Sequence, residues 1–310
     1  MLRASLIALL VLAAACSPSP VPPTPSPTSE TTINAIVVGA DEAGDLSRRA
    51  ALVPAGSRTF KPAHRGVDAL ADMVSRSDVL AIVDERAIAG ELLDGATPRL
   101  EEQVPVARLA SAPIVVAVAP RSPIADAAGL KKKLTEDAST VRFAGAEIGA
   151  VEHLVAALLV KDAENGGGAL VFAAYGTVGE AATGVASGQS DVLVARYADV
   201  KALLAAGTLR ALGVTGESRL PGIDLPTLRE AGIDVTQTDW SLLVAPASIT
   251  AARLAALRGL VDRLRATAQW ADAVRAGGWI DDTTTQATTT FLGTQLSRVT
   301  GLYAELGLRR

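Results

Sequence analysis

AGAEIGAVEHLVAALLV, Ala144 to Val160, is a turn of small residues that runs without a break into an apolar helix expected over Gly149 to Lys161. The run before it, Val141 to Ala144, reads as a strand. Strand, glycine-bearing turn and helix in that order make one unit of a layered α/β fold. The pattern recurs on both sides. Strands are expected at Ile33 to Gly39, Asp78 to Asp84, Ile114 to Ala119, Ala169 to Ala173, Asp191 to Ala195 and Leu209 to Thr215. Helices are expected at Glu42 to Leu52, Ile124 to Thr135, Val178 to Ser187 and Ala198 to Ala206. Strands separated by crossover helices predict parallel sheets covered on both faces. Beyond Trp240 the pattern becomes helical, over Ile249 to Val274 and Thr288 to Leu306, with Ser248 and Thr250 as candidate N-caps. Two α/β lobes with a tail packed back on the first follow from this order.

The N-terminus carries processing signals. Arg3 is followed by an uncharged run from Ala4 to Ala15 and then by Cys16. Charged, apolar and small residues in that order read as a signal peptide over residues 1–15, and the run is too short to span a membrane as a helix. Leu12-Ala13-Ala14-Ala15-Cys16 resembles a bacterial lipobox, in which the cysteine is lipidated; the other reading is an ordinary cleavage site with an incidental cysteine. Residues 16–32 continue as a proline-, serine- and threonine-rich tether holding six of the chain's 16 prolines, which stays extended. On the lipobox reading these predict a protein outside the cytoplasm, anchored to the membrane by lipid.

Composition excludes several classes. Without residues 1–15, 28 basic residues face 33 acidic ones, for a formal charge of −5, and aromatics are 3%. Neither a phosphate-tracking groove nor a stacking platform is expected, so nucleic acid is excluded as a partner. One cysteine permits no internal disulfide. With only His64 and His153 besides, neither a protein metal site nor a cofactor is expected. The chain lacks a GxSxG elbow, a P-loop and HExxH, and no nucleophile and base pair stands out, so no enzyme is expected.

Ligands of open α/β sheets bind beyond the carboxyl ends of strands. Three loops qualify there. The first is Gly39, Ala40, Asp41, Glu42, Ala43, Gly44 and Asp45. The second is Ala144, Gly145, Ala146, Glu147, Ile148, Gly149 and Ala150. The third holds Tyr175, Gly176, Thr177 and Glu180. Each aims backbone N–H groups and a positive helix end at one place, which favours anions. His153 adjoins Glu152, yet neighbours in a helix do not face each other; it either reaches the ligand or a loop carbonyl, or it packs. Asp191 follows a GQSD turn and either bonds a loop N–H or serves the turn. Trp240, at the crossover between lobes, is either an aromatic wall of the site or a core residue of the hinge. Trp270 and Trp279 read as packing residues, and Arg48, Arg49 and Arg196 are the cations nearest the loops.

From Ser111 to Leu308 the chain resembles the receptors of the tripartite tricarboxylate transporter family, the Bug-type extracytoplasmic receptors. The resemblance rests on AGAEIGAVEHLVAALL, on VFAAYGTVGEAATGVASGQSDVLVA (Val171 to Ala195) and on GTLRALGVTGESRLPGIDLPTLREAGIDV (Gly207 to Val235). It continues in Trp240 with Val244 to Pro246, in QWADAVRAGGWIDD (Gln269 to Asp282) and in Glu305 to Leu308. It implies a two-lobed periplasmic-binding-protein fold of type II, the Venus flytrap, closing on a two-segment hinge near Val118 and Trp240. Lobe 1 would be 33–118 plus 241–310, and lobe 2 would be 119–240. It also implies a monomer that captures a carboxylated small-molecule solute and presents it to membrane permease subunits. Histidine at the position of His153 is common in such receptors.

Three positions depart from that pattern: Asp41, Glu42 and Glu147 stand where small neutral residues are usual. Carboxylates about 4 Å from a bound carboxylate cost ~4 kcal/mol at an effective dielectric of ~20, which weakens binding ~1,000-fold. Unless they point to solvent or meet a cation, citrate fits poorly and a monocarboxylate, a zwitterion or a neutral solute fits better. A signalling or interaction lipoprotein that keeps the fold without tight solute binding is the alternative these residues leave open.

Overall fold

The computed structural model describes residues 35–40, 58–63, 73, 79–95, 99–163, 170–220, 222–305 and 307. The expected signal peptide, Cys16, the tether and the helix from Glu42 to Leu52 lie outside the described residues, as do Asp41, Gly44, Asp45, Arg48, Arg49, His64 and Arg65.

Two five-stranded sheets form the frame. The first has the order β2-β1-β3-β10-β4. Its strands are β1 (Ala35–Ala40), β2 (Arg58–Ala63), β3 (Val79–Val83), β4 (Val104–Arg108) and β10 (Leu242–Ala245). The second has the order β7-β6-β8-β5-β9. It comprises β5 (Ile114–Val118), β6 (Arg142–Gly145), β7 (Val171–Ala174), β8 (Val192–Arg196) and β9 (Arg210–Val214). Every expected strand is present within two residues. β2, β4 and β10 are additional, and the first two were hidden by an internal proline, which argues against a central strand.

The sheets are mixed, not parallel throughout. β10 runs antiparallel to β3 and β4, and β5 runs antiparallel to β8 and β9. Each is the first strand after the chain passes from one sheet to the other. It therefore enters from the side opposite to that of a strand following a crossover helix. β5 belongs to the second sheet, so the chain passes from one sheet to the other over Leu109 to Pro113, before Val118. All five residues of β5 are buried, so its apolar run carried no mark of which sheet it joins.

The return passage runs beside the first one. Ala112 and Asp239 exchange N–H···O bonds of 2.9 Å, and Leu109 N–H donates to Ser241 O at 2.8 Å. A third segment pairs along them: Ile280 N–H donates to Ser111 O at 2.7 Å and Thr284 N–H to Arg108 O at 3.1 Å. Side chains pin it in place. Arg108 ion-pairs with Asp282, Ser111 Oγ donates to the same carboxylate at 2.8 Å, and the Arg108 guanidinium lies 4.5 Å from the centroid of the Phe291 ring.

Helices cover the sheets: α1 (Glu85–Asp94), α2 (Ala127–Asp137), α3 (Val151–Asp162), α4 (Val178–Ala186) and α5 (Tyr197–Ala205). The tail holds α6 (Ala251–Arg265), α7 (Ala268–Gly277) and α8 (Thr288–Glu305). The single helix expected over Ile249 to Val274 is divided, because Thr267 caps a new start by accepting from Trp270 N–H at 3.2 Å. Thr250 caps α6 as expected, accepting from Arg253 N–H at 3.3 Å. Leu292, Val299, Leu302 and Tyr303 of α8 join the core beside Ala81, Val83 and Ile88, so the tail does pack on the first sheet.

α3 explains the apolar stretch on which the fold reading rests. Val151, Val155, Ala156, Leu159 and Val160 enter the core of the second sheet. Leu154 and Ala157 enter the core of the first. A helix flanked by two cores is apolar all round rather than striped.

Candidate functional site

The carboxyl ends of β3, β6 and β8 face one pocket between the two sheets. It is lined by Asp84, Glu85 and Arg86 after β3, by Ala150, Val151 and Glu152 at the start of α3, and by Arg196 and Asp239. Its volume is about 20 Å³, room for one water-sized group. Asp84 caps α1 by accepting from Arg86 N–H at 2.9 Å, and its carboxylate takes the Arg86 guanidinium at 2.6 Å. Arg196, at the start of α5, meets Asp199 at 2.8 Å and Asp239 at 3.4 Å. Gln237 Nε2 donates to Glu85 Oε1 at 2.5 Å.

Glu152 is buried at 4% exposure, as is Asp239, and Glu85 is deeper still at 2%. Burial pushes the Glu152 carboxyl up from 4.5 to about 7, against the opposing field of Arg196 and a hydrogen bond from its own backbone N–H. His153, one residue on, turns the other way. It lies edge-on to Phe172 at 5.0 Å and its Nδ1 is 3.5 Å from the Tyr303 hydroxyl. Burial lowers its pKa from 6.5 to about 4. Of the two readings of this histidine, packing is the one its surroundings match.

The expected loops meet the pocket only in part. Gly39 is in register with Ile82, which sets the ends of β1 and β3, with Ala40, side by side. Ala144 and Ala146 are buried in the second loop, and Glu147 is half-buried beside Ile148, the more exposed at 55%. From this stretch the pocket takes Glu152, not Glu147. The space that Gly145 leaves is filled by Phe172 and the Glu152 Cβ, within 2.8 Å of where its own Cβ would lie. Gly149, at φ +91°, backs onto α1 with Ala89 Cβ 2.9 Å from a Cβ built there. At both glycines the place a Cβ would take is filled by neighbouring chain.

In the third loop two of the N–H groups expected to face an anion are already used. Tyr175 N–H donates to Gly145 O at 3.1 Å and Gly176 N–H to Ala146 O at 2.8 Å. The Tyr175 ring lies over Gly184 and its hydroxyl is 3.0 Å from Ser190 Oγ. Thr177 accepts from Glu180 N–H at 3.2 Å, a capping pair on the surface. Asp191 sits at the opposite end of β6, accepting from Arg142 N–H at 2.8 Å, so it serves the turn. Trp240 is 1% exposed, packed at 5.5 Å against Phe291 in the core of the first sheet, and lines no part of the pocket.

Sequence reasoning missed Arg86, Asp239 and Gln237 and gave Glu152 no role in the site. The signal for Asp84 and Arg86 was present: an aspartate N-cap after the strand from Asp78 is itself a loop at a strand's carboxyl end. Asp239 could not be found so, because it reaches the pocket from the return passage between the sheets, where it pairs with Ala112. Among the described residues no group of three or more His, Cys, Asp or Glu is placed to hold a metal ion.

Replacing Gly149 by alanine is expected to cost about 1–2 kcal/mol, since a left-handed backbone and contact with Ala89 both oppose a Cβ. In contrast, Gly179→Ala, at an open position in α4, gains up to about 0.8 kcal/mol. Urea denaturation of both variants checks the pair.

The model of the family described as tripartite tricarboxylate transporter family receptor matches residues 99–308. The UPF0065 protein in the tcbD-tcbE intergenic region of Pseudomonas sp. (strain P51) is 28% identical over 245 residues, 66% of this chain and 69% of that protein. Among solved structures, a ligand-free TctC solute binding protein from Polaromonas superposes with a TM-score of 0.72 at 19% identity, covering 88% of this chain and 98% of that one. MatC from Rhodopseudomonas palustris, solved with bound malate, gives 0.69 at 18% identity, covering 87% and 98%. A second R. palustris protein, solved with adipate, gives 0.72 at 17%, covering 88% and 97%. The structural likeness carries the two-lobed periplasmic-binding-protein fold, and the match over residues 99–308 carries more: this chain belongs to the tripartite tricarboxylate transporter family of receptors.

Proposed function

We propose that the two lobes, about residues 33–113 with 241–310 and residues 114–240, close over a small organic acid or related metabolite and present it to the membrane subunits of a tripartite transporter. The observation that carries this reading is the pocket itself, which draws residues from both sheets and from the hinge at the carboxyl ends of three strands. Neighbours of the same fold solved with malate and adipate support an acid-bearing solute. Capture, not catalysis, is the role. The protein works outside the cytoplasm as a monomer, held near its permease by lipid on Cys16 and the tether. In this reading the main chain of Gly39, Ala40 and Ala146 borders the solute's entrance, and Arg86 and Arg196 set the field inside.

A thermal-shift screen of mono-, di- and tricarboxylates, amino acids and aromatic acids tests the proposal. A solute at 100 times its Kd stabilises the folded form by about 2.7 kcal/mol, which raises Tm by roughly 5–10 °C for a chain of this size. One class of solute is expected to give such a shift. Silence across the whole panel would overturn the receptor reading.

A further inference from the structure

The two faces of α3 serve different cores. Val151, Val155, Leu159 and Val160 turn to the second sheet. Leu154 and Ala157, spaced to share one helix face, turn to the first. There they meet Ile88 and Ala89 of α1 and Val299, Leu302 and Tyr303 of α8. Leu158, on the same stripe, packs against both cores. On the lobe division proposed above, α3 belongs to lobe 2 while α1 and α8 belong to lobe 1. This face of α3 is therefore a seam between lobes.

The seam follows α3 from end to end. At its start Gly149 lies against α1, with Ala89 Cβ 2.9 Å and Leu93 Cδ1 3.9 Å from where a Cβ would stand. In the first turn the His153 ring meets the Tyr303 ring edge-on, 6.0 Å between centroids. At the far end Lys161 Nζ is 2.6 Å from Glu305 Oε2. That ion pair is exposed, but Leu154, Ala157, His153 and Tyr303 are all buried.

Lobes that swing freely meet across small or polar surfaces; a large apolar contact opposes their motion. Parting this seam returns Leu154, Tyr303 and their neighbours to water, which is unfavourable in proportion to the apolar area exposed. The pocket at the start of α3, about 20 Å³, has room for one water-sized group. An organic solute is admitted only when the lobes separate.

We propose that α3 is a latch: its seam with α1 and α8 holds the two lobes together in the solute-free protein, and the open form that accepts solute is a minor state. Apparent affinity is then lowered by the fraction that is open. The inference takes its lobes from the receptor reading above, but the latch is measured without solute.

Carbethoxylation of His153 by diethyl pyrocarbonate, followed by mass spectrometry of the purified full-length protein near neutral pH, tests this. Tyr303 of the other lobe walls the imidazole only while the seam is shut. His153 is expected to react at least about fiftyfold more slowly than a histidine in an unstructured peptide, the mark of an open form at the per cent level. Leu154→Ala, which empties the seam, is expected to accelerate the reaction at least about tenfold, and the milder Leu154→Val about threefold. Val155→Ala, which empties the core of the second sheet and leaves the seam intact, is expected to change it less than about twofold. Melting curves identify the variants that fold, and the valine variant carries the test if the alanine variant does not. A smaller delay in the wild-type protein would overturn the latch. Equal effects of the Leu154 and Val155 substitutions would do the same, because general loosening would then explain both. Neither result touches the receptor reading, which is decided by the solute screen; a silent screen would leave the latch standing as a property of the fold.

Discussion

Trp240→Ala is expected to lower stability by about 3–5 kcal/mol, the cost of emptying a large aromatic site in a closed core. Trp240 is 1% exposed, lies edge-on to Phe291 and shares a cluster with Leu242, Val244, Leu292 and Tyr303. The loss reaches beyond volume, because Phe291 also carries the Arg108 guanidinium on its face, and Arg108 holds Asp282 of the third segment that pairs between the sheets. Trp240→Phe is expected to cost less than half as much. It keeps most of the ring volume and removes an indole N–H that is buried without an acceptor. Urea denaturation of the two variants decides the matter. Equal costs would show that volume does not control this site, and a cost below about 1 kcal/mol for alanine would show that the site is not packed as described.

Glu152→Gln is expected to change the pH dependence of stability by about 3 kcal/mol. Two adjacent residues of α3 titrate in opposite senses. Glu152 has a folded pKa raised from 4.5 to about 7, by burial, against the fields of Arg196 and Arg86 and with that of Asp239. Its contribution is full below pH 4.5 and is lost as pH rises to about 7, because the unfolded chain ionises first. His153 has a folded pKa lowered from 6.5 to about 4, with Phe172 and Tyr303 around it. Its contribution is full above pH 6.5 and is lost as pH falls to about 4. Near pH 5.5 the folded pair binds one proton, on Glu152, and the unfolded pair binds one, on the histidine. The two slopes cancel.

Removing either partner uncovers the other. Relative to wild type, Glu152→Gln should gain stability as pH rises between about 4.5 and 7, by up to about 3 kcal/mol. His153→Gln should gain stability relative to wild type as pH falls between about 6.5 and 4, by a similar amount. Chemical denaturation at half-unit pH steps measures both differences. Two differences independent of pH would contradict the burial of these groups.

Much of the fold was legible in the chain because its strands are short, apolar and separated by helices of ordinary length. The stretch from Ala144 to Val160 specified strand, turn and helix by residue type alone. Its glycines were read less well. Gly145 and Gly149 look alike to a reader seeking a ligand loop, since a glycine marks close approach without saying what approaches. The structure supplies Phe172, Glu152 and Ala89 as the neighbours. Tyr175 and Gly176 follow the same logic: their N–H groups were counted as free for an anion, but a parallel neighbour's loop had taken them.

Trp240 and Asp191 show the other limit. Both sit where the chain turns between elements, and position along a chain does not say which side of a sheet a side chain enters. Asp191 joined the wrong end of β6 for a ligand, and Trp240 entered a core.

By itself, then, the order of residues determined the α/β class, the helical tail and the family, because periodicity, capping and glycine placement are local properties that pairing in space does not alter. The tertiary structure decided the direction of β5 and β10, the pairing of the third segment beside the two passages and the membership of the pocket. Those depend on which distant segments meet: Asp84, Glu152, Arg196 and Asp239 come from four separate parts of the chain. Their charges acquire meaning only when the fold gathers them around one pocket, where burial weakens screening by water.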